Sequence, residues 1–278
     1  MSFKNILVHI DSTPPSQIRL KLALRLARCF GARLSGLHVI PGPDVPPYFK
    51  PSAVAQIAEI YAENAREAAD LSEALFREET KDAGVDAAWE CLSGELDTAI
   101  AEQARFADLL LLGQFDTENP PTISAFLLPA KIVFGAATPI LVVPNTGRFN
   151  EIGSRVLVAW DGSKEAARAV RDALPFLQAA ERVSLLAVDP LRQGHMHDGV
   201  NTAKLAAYLD RHGVRAETAE ISSGEKSVTD ILLARAAELG VDLLVAGAYG
   251  HPRLLEFFLH GTTQDLLERT PIPLLISR

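Results

Sequence analysis

Short apolar runs and amphipathic stretches alternate along this chain, and the alternation is completed twice. Residues 6–10 form an apolar run bounded by polar positions, as expected of a strand buried on both faces. Asp11 ends it. Ser12-Thr13-Pro14-Pro15-Ser16 then signals a helix start, and Ile18, Leu22 and Leu26 recur four apart until Gly31 stops the helix. Residues 34–40 read as a second strand, the proline-rich 41–47 as a loop, and 52–82 as a long amphipathic helix with Ile57, Ile60, Leu71 and Leu75 at helical spacings. A third strand (85–92), a helix (97–104), a fourth strand (107–112), a weaker helical stretch near 123–134 and a fifth strand (138–144) complete the unit.

The second half predicts the same order: strands at 155–160, 182–188, 214–221, 242–246 and 272–276, separated by helices at 163–179, 200–212, 227–238 and 253–268. Landmarks return with it. Asn5-Ile6-Leu7-Val8-His9-Ile10-Asp11 comes back as Arg155-Val156-Leu157-Val158-Ala159-Trp160-Asp161, Ser93-Gly94-Glu95 as Ser223-Gly224-Glu225, and Thr138-Pro139-Ile140 as Thr270-Pro271-Ile272. The domains are placed at 1–146 and 153–278. A polar linker over 145–153 joins them, and the extra length of the first lies in its proline loop and long helix. Strand-helix alternation implies α/β architecture: two tandem Rossmann-like domains, each a five-stranded parallel sheet with helices on both faces. Ligands of such sheets bind beyond the carboxyl ends of the strands where the strand order reverses, which directs attention to the loops after strands one and four of each half.

Composition narrows the class. With 278 residues, 48% hydrophobic and 22% charged, each half can bury its own core. A net charge of -8 argues against a duplex-binding surface, so no nucleic-acid partner is expected. No basic leader with an apolar core opens the chain, and no apolar run approaches the ~20 residues of a membrane helix, so a cytoplasmic protein with no membrane partner is expected. Cys29 and Cys91 lie in apolar surroundings and are expected to be reduced, buried thiols.

The candidate chemistry is unequal between the copies. Asp11 and Asp161 each end a first strand, where a carboxylate can accept from a ribose hydroxyl or an adenine amine, or can cap the following helix. After the fourth strand, Gly247-Ala248-Tyr249-Gly250 and then His260-Gly261-Thr262-Thr263 offer a glycine turn and a helix start. Backbone N–H groups in such places can meet a phosphate. The first copy has Gly113-Gln114-Phe115-Asp116 instead. Asp116 repels phosphate, and Leu128-Pro129-Ala130 supplies no glycine and one N–H fewer.

With these residues in view, the chain resembles a tandem universal stress protein, two UspA-type domains of adenine nucleotide alpha hydrolase-like fold. The nucleotide pattern of that family, G-x2-G-x9-G-(S/T), is opened by Gly247 and Gly250, but His260 stands where the third glycine belongs and Gly261 comes one place late. The resemblance implies ATP or another adenine nucleotide, with or without Mg, in the second domain only. It places Ala159, Asp161, Val188, Ala246 and Gly247 around the adenosine, and Gly250, His260, Gly261, Thr262 and Thr263 around the phosphates. It also implies a stress-response sensor or scaffold and an intrachain pseudo-dimer through the last strands of the two halves; hydrolysis is expected to be slow or absent because the sequence shows no positioned general base. Dimerisation of the whole chain stays open. Pro273 fits an edge strand better than a central one.

The remaining signals are weaker. Ser222-Ser223-Gly224-Glu225-Lys226-Ser227 lacks the glycine that a P-loop places before its lysine. His195-Met196-His197-Asp198 lacks the further ligands of a metal site, and His9 and His38 read as core or pocket histidines. The competing function is a module whose degenerate pockets bind a partner or an apolar ligand rather than a nucleotide; His260 favours it, whereas Gly247, Gly250 and Asp161 favour the nucleotide.

Overall fold

The computed structural model describes residues 2–42, 51–114, 128–189, 201–248 and 261–278. The first half runs β1 (Asn5–His9), α1 (Pro15–Phe30), β2 (Arg33–Ile40), α2 (Pro51–Thr80), β3 (Ala87–Ser93), α3 (Leu96–Ala104), β4 (Leu109–Gly113), α4 (Leu128–Gly135) and β5 (Ile140–Val143). The second runs β6 (Arg155–Ala159), α5 (Lys164–Asp172), α6 (Leu174–Ala179), β7 (Arg182–Val188), α7 (Thr202–Arg211), β8 (Ala216–Ile221), α8 (Val228–Leu239), β9 (Leu243–Gly247), α9 (Thr262–Arg269) and β10 (Leu274–Ser277). The single helix expected over 163–179 is in fact two, α5 and α6, broken at Ala173. Pro175 stands in the first turn of α6, where a missing N–H is harmless but a continuous helix is not possible.

Within each half all pairings are parallel, in the order β3-β2-β1-β4-β5 and its counterpart β8-β7-β6-β9-β10. The strand order therefore reverses between β1 and β4, and between β6 and β9, which puts a crevice at the carboxyl ends of those strands. The two sheets are joined as one of ten strands by an antiparallel seam between β5 and β10, with Val142 opposite Leu274, Leu141 opposite Leu275 and Ile140 opposite Ile276. The last strands thus meet within one chain. The edge position expected from Pro273 is corrected by this seam: β10 is central. Pro273 lies just before the strand and takes part through its carbonyl, which accepts from Leu244 N–H at 3.0 Å, so its missing N–H removes no ladder bond.

Both faces of the sheet are buried across the seam. On one face Phe3 and Phe30 of the first half pack on Phe176 of the second, with ring centroids 5.0–5.4 Å apart. On the other, Ile132 and Val133 of α4 and Leu266 and Leu267 of α9 cover Ile140, Val142, Leu274 and Ile276. An acidic staple is also repeated. Asp108 accepts from Lys4 N–H (2.7 Å) and Asn5 N–H (2.9 Å), and Asp242 accepts from the N–H groups of Gly153, Ser154 and Arg155, so each carboxylate ties down the start of its half's first strand.

The expectation of buried thiols is not met. Cys29 and Cys91 are both free and exposed. Cys29 falls on the solvent side of the last turn of α1, beside Arg28, and Cys91 on edge strand β3, whose outer surface is largely open. No helix among the described residues is long and apolar enough to cross a membrane.

Candidate functional site

In the second half, neighbouring strands β9, β6 and β7 end together and carry the five residues expected around the adenosine to one edge of the sheet. Ala159 closes β6, Val188 closes β7, and Ala246 and Gly247 close β9. Asp161 lies two residues past β6. Its Oδ1 accepts from Ser163 N–H at 2.9 Å, and Ser163 in turn caps α5, its Oγ accepting from Ala166 N–H at 3.0 Å. The cap is therefore the serine, and the aspartate holds the turn that presents it. Among the described residues Asp161 Oδ2 has no partner in this turn.

Gly247 is demanded by packing. A Cβ there would sit 2.4 Å from Ala166 N and 2.7 Å from the carbonyl carbon of Glu165, so the end of β9 lies directly against the first turn of α5. Gly261, by contrast, has extended backbone, and no atom of the described residues lies within 4 Å of where a Cβ would be. It caps α9 without a side-chain bond of its own, and the first N–H bond made back to it comes from Asp265, so intrahelical bonding leaves the N–H groups of the first turn, such as that of exposed Thr262, over. Gly250 and His260 lie outside the described residues, as do Asp116 and the His195–Asp198 stretch.

Buried polar atoms mark the same region. Among the described residues, Trp160 Nε1, Glu165 Oε2 and Ser277 Oγ are buried without a hydrogen-bond partner, as is Trp89 Nε1 in the first half. Ser277 pairs in register with Gly247, and Glu165, 5% exposed, lies in the first turn of the helix that Gly247 touches. Farther along the edge, Asp189 follows Val188 with φ 49° and accepts from Ser223 N–H at 2.8 Å and from the hydroxyls of Ser222 and Ser223. The P-loop look-alike is thus a carboxylate-bound turn, and its Ser227 caps α8 by accepting from Asp230 N–H at 3.0 Å.

The first half builds something else from the corresponding residues. Arg19, 2% exposed, sends its guanidinium up from α1 into the place above Gly113, where a Cβ would lie 2.1 Å from Nη1. Its Nε donates to the His9 carbonyl at 2.6 Å, and Nη2 donates to Ser16 Oγ at 2.8 Å and to Asp11 Oδ2 at 3.1 Å. Asp11 Oδ1 accepts from Thr13 N–H (3.0 Å), Ser16 Oγ (2.8 Å) and the Thr13 hydroxyl. Burial alone would raise the Asp11 carboxyl, but the charge of Arg19, with His9 and the hydroxyls of Thr13 and Ser16, outweighs it and holds the group well below the usual carboxylate range. Ala169 occupies the position of Arg19 in the second half, so no side chain from that position reaches Gly247; the backbone of Glu165 and Ala166 lies against it instead. Sequence reading missed Arg19; the available signal was a cation on the inward side of α1, in line with Ser16 and Ala23.

His9 and His38 are buried, and His38 Nδ1 lies 2.8 Å from the Ile10 carbonyl. Burial, with Arg19 and His38, pushes the His9 imidazole down from 6.5 to about 4 against the pull of Asp11. A depressed histidine leaves stability untouched above 6.5 and lowers it as pH falls from 6.5 to 4, because only the unfolded chain takes up the proton there. The loss amounts to about 3 kcal/mol. Chemical denaturation at pH 7.5 and pH 4.5 should show it, and His9→Gln should flatten that part of the profile; an equal slope in both proteins would remove His9 as its cause.

Both halves match the sequence model of one family, described as the universal stress protein family, over residues 2–143 and 154–278. The chain belongs to the universal stress protein family. This universal stress protein is 30% identical over 156 residues to the universal stress protein Slr1230 of Synechocystis sp., an alignment covering 53% of this chain and 50% of that one. The chain spans about half the length of that curated relative. Its fold is similar to that of a universal stress protein from Archaeoglobus fulgidus DSM 4304, over 99% of this chain and 96% of the other, at 16% identity and a TM-score of 0.71. A functionally unknown protein, PA1789, from Pseudomonas aeruginosa PAO1 is similar over 99% of this chain and 92% of its own at 16% identity and a TM-score of 0.62. At those identities the likeness is one of fold. Tandem universal stress protein domains are therefore established for this chain, and one of its two strand-end crevices is filled by the protein's own arginine.

Proposed function

We propose that this universal stress protein binds ATP or another adenine nucleotide at the β6–β9 crevice of its second half and acts as a sensor or scaffold, while the first half is a self-filled structural copy. The observation that carries the reading is the contrast between the two aspartates: Asp11 is saturated by Arg19, Thr13 and Ser16, whereas Asp161 is engaged only by the backbone of Ser163 among the described residues. A free carboxylate oxygen at the end of the first strand is the acceptor a ribose requires. Ala159, Val188, Ala246 and Gly247 flank it as the adenosine end. Gly250, His260, Gly261, Thr262 and Thr263 form the phosphate end, where the first turn of α9 supplies donors and a favourable dipole. The partnerless buried atoms around Gly247 support a polar ligand over an apolar one. Among the described residues no three His, Cys, Asp or Glu side chains come together, so any Mg is expected to arrive on the phosphates.

Gly261→Asp tests the phosphate end cleanly. Its extended backbone and open surroundings admit any side chain, and aspartate is at least as good a cap as glycine, so stability should stay within a few tenths of a kcal/mol. The new carboxylate would face the phosphates. Calorimetric titration should show ATP affinity falling by about tenfold or more, with adenosine affinity unchanged. Absence of saturable ATP binding by the wild-type protein would overturn the reading, and equal ATP affinity in the variant would overturn the phosphate assignment.

A further inference from the structure

Gln114 follows Gly113 at the end of β4, as Ala248 follows Gly247 at the end of β9. The backbones behave alike, Gln114 N–H donating to Val143 O at 2.8 Å and Ala248 N–H to Ser277 O at 2.9 Å. The side chains do not. The Gln114 carboxamide crosses the seam and its nitrogen donates to two carbonyls at the C-terminal end of α9, Glu268 O at 3.0 Å and Thr270 O at 2.9 Å. Both acceptors are carbonyl oxygens, so only the NH2 of the amide can make this pair, and it commits both hydrogens. Carbonyls at a helix end are groups the helix itself leaves without donors. Ala248 can offer nothing equivalent to α4; there the reciprocal contact is the Arg278 guanidinium, 3.8 Å from the centre of the Phe134 ring.

The helix so held is the one that begins with Gly261, Thr262 and Thr263. With eight residues it is about 12 Å long, one short rod with the candidate phosphate donors at one end and Gln114 at the other. At its N-terminus the cap residue, Gly261, has no side chain to bond the first turn. Of its other polar ties, the pair between Arg269 and Asp230 (2.6 Å) is exposed on both sides and holds little. A side chain of the first half therefore supplies the helix with a two-bond polar anchor.

We propose that Gln114 is a positioning residue: the residue that follows the arginine-filled strand end of the first half serves as a clamp that orders the phosphate-facing helix of the second half. The consequence for binding rests on the nucleotide reading above, whereas the clamp itself does not. Gln114→Glu removes both donors and turns a carboxylate onto the carbonyl oxygens; Gln114→Lys restores donors and suits the negative end of the helix. Amide hydrogen exchange of the intact protein should show the α9 amides, including Thr270 N–H bonded to Leu266 O, exchanging about tenfold faster in Gln114→Glu, with α8 unchanged and Gln114→Lys returned to the wild-type rate. In the same proteins ATP affinity should fall several-fold in Gln114→Glu, on the order of the exchange effect, and be recovered in Gln114→Lys, with adenosine affinity constant throughout. Unchanged α9 exchange overturns the clamp. Faster exchange with unchanged ATP affinity overturns its bearing on the site. If the wild-type protein binds no nucleotide, the nucleotide reading alone falls, and the exchange result still decides the clamp.

Discussion

Asp11→Ala is expected to destabilise the protein by about 3 kcal/mol or more, whereas Asp161→Ala, the same substitution at the matching place in the second half, is expected to cost under about 1 kcal/mol. The difference follows from what each carboxylate neutralises. Removing Asp11 leaves the Arg19 guanidinium, 2% exposed, with neutral oxygens only, those of His9 and Ser16. It also strips the Thr13 N–H and two hydroxyls of their acceptor. An unpaired buried cation costs about 3–5 kcal/mol; the side chain of Asp11 is 37% exposed, so water can enter from that side, which places the expectation at the lower end. Asp161 holds one backbone N–H. Thermal melts should separate the two variants by several degrees, at about 2–4 °C per kcal/mol for a chain of this order of size. The double change Asp11→Ala with Arg19→Met should recover most of the loss, since an apolar pair needs no compensation. Equal melting of the two single variants would show that Arg19 does not depend on Asp11.

Gly247→Ala should be nearly as damaging, at about 3 kcal/mol, for a different reason. The added methyl would meet backbone, Ala166 N at 2.4 Å and Glu165 C at 2.7 Å, which cannot swing aside as a side-chain end can. Either α5 lifts from β9 or the end of β9 bends, and both disturb the crevice that Asp161 and Gly247 border. Gly261→Ala is the companion measurement. Open space and extended backbone predict a change within about 0.5 kcal/mol. A Gly247→Ala protein as stable as Gly261→Ala would mean that the close approach of β9 to α5 is not what glycine is there to permit.

Much of the fold was readable from the chain because its signals are local. Apolar runs such as 6–10 and 155–160, helix stops such as Gly31, and repeated landmarks such as Thr138-Pro139 and Thr270-Pro271 report strands, helix ends and a duplicated unit without reference to distant residues. Where a signal depended on what lies opposite, sequence reasoning failed. Pro273 suggested an edge, but the seam with β5 makes β10 central and sets the proline one residue outside the ladder. Cys29 and Cys91 looked buried because their neighbours along the chain are apolar, yet the side of a helix or strand that faces solvent depends on what packs against it.

The sequence by itself determined the α/β duplication, the family, the strand-end positions of Asp11, Asp161, Gly113 and Gly247, and the loss of the glycine pattern from the first half. Only the tertiary structure decided what fills the first crevice. Arg19 reaches Asp11 eight residues away by folding back from α1, Gln114 meets Glu268 and Thr270 across more than 150 residues, and Glu165 comes to lie beside Gly247 from another element. Hydrogen bonds and ion pairs act over about 3 Å in space and carry no trace in a linear spacing, so a copy plugged by its own arginine cannot be told from its sister copy until the strands are assembled.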